Sequence, residues 1–212
     1  MSNIPGRKLI VVDIQPAYEN ACKYFMNEFV EAINNFEGDI LYLYNGPEMG
    51  FENENEIQDW LVQYAAEIYG EEIYDEEADE YISNEQLESF RSKVNEIYFI
   101  EKGYGFIRDT LDEGYKDETL QIVQYLISND LNDSSEIDEE QYEEMDLPEE
   151  LKENLIDEGW KIALPAFNFN ILKHWGGSTL VGGGENECLL EVEVLLNAMN
   201  IPYTTFNKFI YS

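Results

Sequence analysis

Apolar residues follow two rhythms along this chain, and the two alternate. Lys8-Leu-Ile-Val-Val-Asp-Ile-Gln15 is a short apolar run that turns polar at its end, the pattern of a parallel strand buried on both faces. Pro16 stops it, and Tyr18, Cys22, Phe25, Phe29, Ile33 and Phe36 then recur at helical spacing, predicting a helix over 17–36. Residues 39–45 repeat the strand pattern and are closed by Gly46-Pro47. Helical spacing returns over 55–69, with Ile57, Trp60, Leu61 and Tyr64, and again near 84–93. A third strand is predicted over 96–101, ending at Lys102-Gly103, and an amphipathic helix over 117–129. Further on, Lys161–Leu164 reads as a strand leading to Pro165. Residues 178–184 read as a strand running into a helix over 186–199, and 203–211 as the closing strand.

Strands alternating with helices predict a doubly wound, three-layer α/β/α sandwich, Rossmann-like, with a mainly parallel sheet of about six strands joined by right-handed crossovers. In such sheets ligands bind beyond the carboxyl ends of the strands. The length of 212 residues suits a single domain over 1–212. Within it, 112–158 stands out as an acidic helical insertion: residues 130–158 hold fourteen acids and one base, Lys152.

Charge narrows the function classes. Twelve basic residues against 46 acidic ones leave a formal net charge of −34, which repels nucleic acid and anionic membranes. A basic protein partner for the acidic insertion remains open, as does homo-oligomerisation. No apolar run is long enough to span a bilayer and no leader pattern opens the chain, so the expected location is cytoplasmic. Two cysteines, Cys22 and Cys188, are too few for a disulfide framework. The single histidine, His174, excludes His-rich metal sites and any triad needing a second histidine. No metal and no cofactor is expected.

The strand ends carry the chemistry. Asp13 ends the first strand, Lys102 follows the third, and Cys188 opens a helix just after Gly182-Gly183-Gly184. A helix N-terminus and a nearby ammonium both favour the thiolate that a cysteine nucleophile needs. Asp13 is suited to accept the thiol proton and return it to the leaving group. The glycine run lets backbone N–H groups face a developing oxyanion. The turn has neither a P-loop lysine nor dinucleotide-binding spacing, and Glu185 and Glu187 would repel phosphate.

Three segments together resemble the isochorismatase-like cysteine hydrolases, the superfamily of nicotinamidases and carbamoylsarcosine amidase. Leu9-Ile-Val-Val-Asp13-Ile-Gln15-Pro-Ala-Tyr18 is similar to the family's first strand with its Asp-x-Gln motif. Ile100-Glu-Lys102-Gly-Tyr104-Gly-Phe106 is similar to the segment carrying the family lysine. Val181-Gly-Gly183-Gly184-Glu-Asn-Glu-Cys188-Leu resembles the nucleophile motif. The resemblance implies a nucleophilic Cys188, a general acid/base Asp13 and a supporting Lys102. It also implies an oxyanion hole from the N–H groups of Gly184 and Cys188, a cis peptide at Gly183-Gly184 and the sheet order 3-2-1-4-5-6. The substrate pocket would be lined by Gln15, Tyr18, Tyr104, Phe106 and Gly183. This chain departs from the family in having Asn45-Gly-Pro-Glu48 where nicotinamidases place metal-binding histidines. It also has Glu185 three residues before the cysteine, where a carboxylate facing the thiol would disfavour the thiolate.

The expected function is cysteine-dependent hydrolysis of a C–N bond in a small neutral or cationic amide, because an acidic protein fits an anionic substrate poorly. The alternatives are a non-catalytic protein of the same fold that binds basic partners or mimics nucleic acid, and one that sequesters a small molecule. Fold alone does not choose among these.

Overall fold

The computed structural model describes residues 3–76, 79–103 and 107–211, without the side chains of residues 73, 75, 80, 108 and 109. In chain order the elements are β1 (Lys8–Val12), α1 (Glu19–Cys22), α2 (Met26–Asn34), β2 (Asp39–Tyr44), α3 (Glu54–Tyr69), β3 (Glu72–Asp75), β4 (Glu80–Ser83), α4 (Glu85–Val94), β5 (Tyr98–Glu101), α5 (Arg108–Asp112), α6 (Lys116–Asn129), α7 (Glu139–Glu144), α8 (Glu149–Ile156), β6 (Ser178–Gly182), α9 (Cys188–Ala198) and β7 (Tyr203–Thr205). The fold is α/β and Rossmann-like. A five-stranded sheet runs in the order β5-β2-β1-β6-β7, and β3 and β4 form a separate antiparallel pair.

The chain divides into two compact units. One runs up to Glu101 and includes Ser178–Gly183 and Thr204–Tyr211. The other comprises Lys102–Gly177 and Gly184–Tyr203.

In the first unit β1 pairs in parallel with both β2 and β6, and β2 pairs in parallel with β5. Leu9 through Val12 are all buried, so β1 is covered on both faces, which is why it reads as an unbroken apolar run. Leu9, Val11, Tyr42 and Val181 join one core with residues from α2, α3 and α4, and these three helices pack on one another. Asn53 caps α3 through a capping box with Glu56, and Asn84 caps α4. The long helix expected over 17–36 is broken. A 3-10 turn (Pro16–Tyr18), α1 and α2 share the span, and the bend at 23–25 seats Phe25 against Phe209, with ring centroids 5.6 Å apart.

In the second unit α6 and α9 pack on each other, and α9 is apolar almost all round. The acidic stretch after α6 is a set of short helical turns whose acids work as caps. Asp133 and Asp138 each close a capping box, with Glu136 and Gln141 respectively. The Tyr142 hydroxyl donates to the Ser134 carbonyl at 2.8 Å and holds two of these turns together.

The sheet thus has five strands where about six were expected. Residues 161–164 do not join it, because their backbone groups bond elsewhere. Ser134 N–H donates to the Ile162 carbonyl (2.7 Å), Leu164 N–H donates to the Asn132 carbonyl (2.7 Å), and Asp133 and Ala163 form one isolated antiparallel bridge. The expected closing strand over 203–211 is likewise short, giving way after Thr205 to a 3-10 turn (Asn207–Phe209). No helix among the described residues is long and apolar enough to cross a membrane.

Candidate functional site

In the first unit the register aligns the carboxyl ends of four strands. Val12 stands opposite Leu43 and Gly182, and Leu43 opposite Ile100. The chain leaves this edge at Asp13, which is fully buried and has φ 46°, a left-handed conformation that Asp adopts more readily than most residues. That conformation ends β1 three residues earlier than its apolar pattern suggests. Asp13 N–H still donates to the Leu43 carbonyl (2.9 Å), and its carbonyl accepts from the Tyr211 hydroxyl (3.0 Å). Gly182, the last residue of β6, has φ 81°, and a Cβ there would come within 2.2 Å of the Val12 carbonyl oxygen, so no other residue fits.

Gln15 is also fully buried, and Asn45 grips it at two points. Asn45 N–H donates to Gln15 Oε1 (3.0 Å), and Gln15 Nε2 donates to the Asn45 carbonyl (3.1 Å). The same Nε2 donates to Glu52 Oε2 (3.0 Å), and Asn45 Nδ2 donates to the Tyr18 hydroxyl (3.0 Å). Beneath them Tyr42 donates its hydroxyl to the Ile14 carbonyl. Burial pushes that hydroxyl's pKa well above its usual range, with Cys22 and Asp13 adding to the shift.

The second unit holds Lys102 and Cys188. Cys188 is the first residue of α9, and the turn before it is closed by the Gly184 carbonyl, which accepts from Glu187 N–H (3.0 Å) and Leu189 N–H (3.3 Å). Glu185, Asn186 and Glu187 are exposed, so the Glu185 carboxylate faces solvent. Lys102 is 1% exposed. Its Nζ donates to the Gly103 carbonyl (3.1 Å) and lies 3.8 Å from Glu191 Oε2, which is itself buried. Glu191 comes three residues after Cys188, on the same face of α9 one turn later.

Sequence reasoning missed Glu191, Asn45 and Glu52. The signal for Glu191 was visible, a carboxylate inside the apolar run Cys188-Leu-Leu-Glu-Val; no sequence rule pointed to the other two. Of the expected residues, Asp13, Gln15, Tyr18 and Gly183 belong to the first unit, and Lys102, Gly184 and Cys188 to the second. Tyr104 and Phe106 lie outside the described residues. The cis peptide implied at Gly183-Gly184 is absent; among the described residues every peptide bond is trans, and the turn is made instead by the left-handed Gly182 and Gly183. Among the described residues no group of three or more His, Cys, Asp and Glu is arranged to hold a metal ion. A cleft of about 450 Å³ lined by Asp39, Ile40, Lys93 and Tyr98 opens at the amino ends of β2 and β5, the edge opposite to the one such folds use for ligands.

No family model, no curated protein and no solved structure matches this chain.

Proposed function

We propose that the chain is a cysteine hydrolase of isochorismatase-like type, cleaving the C–N bond of a small neutral or cationic amide through a thioester on Cys188. The reading carries with it the three-layer, doubly wound arrangement expected from the sequence. The observation that carries it is that α9 begins on Cys188, with only Glu185, Asn186 and Glu187 between it and the glycine turn that ends β6, and the helix dipole there favours a thiolate. In this mechanism Asp13 takes the thiol proton as sulfur attacks the carbonyl carbon. The oxyanion meets the N–H groups of Gly184 and Cys188. The C–N bond then breaks as Asp13 returns the proton to the departing nitrogen. Water next attacks the thioester, giving a proton to Asp13, which passes it to the Cys188 sulfur as the acid leaves.

The buried pair of Lys102 and Glu191 also supports a second reading, a protein that binds a small molecule without turning it over. A carboxylate beside the ammonium offsets the positive charge that would otherwise favour the thiolate. The test is the rate of Cys188 alkylation by iodoacetamide against pH, followed by a screen of amides for ammonia or amine release. Fast labelling at neutral pH, with release abolished in Cys188→Ala, supports the hydrolase. Labelling that rises only near an ordinary thiol's pKa of about 8.5 supports the second reading.

A further inference from the structure

Beyond β2 the chain passes a 3-10 turn (Pro47–Met49) and reaches Phe51 and Glu52 just before the Asn53 cap of α3. Glu52 is half-buried, and among the described residues its polar partner is the neutral Gln15 amide rather than a lysine or arginine. Because Asn45 clasps that amide from two sides, the carboxylate is held in place through a fully buried side chain. The chain neighbour of Glu52, Phe51, begins a row of rings. Phe51 lies 5.7 Å from Tyr18, and Tyr18 lies 6.1 Å from Tyr211, with planes tilted by 32° and 30°.

A positioned carboxylate next to aromatic rings is the chemistry that binds an organic cation, by Coulomb attraction on one side and ring quadrupoles on the other. The net charge of −34 would draw such a ligand in from solution. A neutral or anionic ligand would leave the Glu52 charge uncompensated in a half-buried setting.

We propose that Glu52, with Phe51 and Tyr18, forms a subsite for a small alkylammonium group. As the subsite of a substrate, this rests on the hydrolase reading and narrows the substrate to a cationic amide; as a binding site, it stands without turnover. Gln15 and Asn45 are positioning residues that aim the carboxylate.

The experiment titrates the full chain with choline and with 3,3-dimethylbutan-1-ol, its uncharged isostere, by calorimetry at low and at near-physiological salt. Saturable choline binding is expected, with the isostere weaker by about tenfold or more and Glu52→Gln weakening choline by a similar factor. Phe51→Leu, which keeps apolar volume, should weaken choline by a few-fold. Glu96→Gln, an acid elsewhere on the same unit, should leave it unchanged and so excludes a general effect of net charge. Thermal unfolding of each variant reports whether it folds. Equal affinity for choline and isostere, or binding indifferent to Glu52→Gln and Phe51→Leu, overturns the proposal. Tight binding of a lysine-rich peptide without binding of choline overturns it too, in favour of a protein partner. Saturable choline binding with an ordinary Cys188 thiol keeps the subsite and removes the hydrolase reading; an activated Cys188 without choline binding does the reverse.

Discussion

The two cysteines sit at opposite kinds of helix end. Cys22 closes α1, fully buried in the core of the first unit, with its thiol donating to the Glu19 carbonyl at 3.7 Å. Burial pushes its pKa up to about 12, and the Glu19 charge adds to that while a local backbone hydrogen bond opposes it. Cys188 opens α9 with 4% of its surface exposed, at the end where the helix dipole favours negative charge. Both are buried thiols on helices, and burial therefore does not separate the core cysteine Cys22 from the proposed nucleophile Cys188. The end of the helix, and what faces it, does.

The largest expected consequence is kinetic. At neutral pH Cys188 should be alkylated at least about a thousandfold faster than Cys22, because a thiol with a pKa of about 12 holds almost no thiolate at pH 7. Peptide mapping after iodoacetamide resolves the two, and equal rates in the folded protein would erase the contrast.

The next effect concerns the charge pair one turn beyond Cys188. Glu191→Ala removes the Glu191 carboxylate from beside the buried Lys102 and should lower stability by about 3 kcal/mol in urea unfolding, whereas replacing both residues together (Lys102→Met with Glu191→Leu) should recover most of that loss. If the double variant is as unstable as the single one, the two side chains do not act as a pair.

Alkaline pH tests the other cysteine. The folded-state pKa of Cys22 is raised, so its contribution to stability is intact below the unfolded value of about 8.5 and is lost as pH climbs towards about 12. Stability should fall by up to about 1.4 kcal/mol per pH unit for each such group across that window, and Tyr42 adds a similar loss beginning near its own unfolded value of about 10. Cys22→Ala should flatten the first part of the decline, and a Cys188→Ala profile that flattened it equally would contradict the assignment. The smallest effect is packing: Cys22→Ala should cost about 1 kcal/mol at neutral pH and Cys188→Ala less, read from denaturation midpoints.

Much of the frame was legible in advance because it rests on local pattern. The apolar run of β1, the helical spacing of α3 and a helix start near Cys188 all follow from residues close together in sequence. The antiparallel pair β3 and β4 went unrecognised because its strands are crowded with acids that lower strand propensity. The segment 161–164 looked like a strand and satisfies its hydrogen bonds against 132–134 instead, a choice among partners that strand propensity does not encode.

By itself, then, the chain's pattern determined an α/β fold with parallel strands, the residue types at their ends and a strongly acidic composition. Tertiary structure alone decided which distant residues side chains such as Gln15 and Lys102 meet. Gln15 meets Asn45 and Glu52 across 30 and 37 residues, because the parallel register of β1 on β2 brings their ends level. Lys102 meets Glu191 across a longer interval still. Local periodicity sets which way a side chain faces. The partner it meets depends on how distant segments are brought together, and the energy of a buried charge or amide depends on that partner.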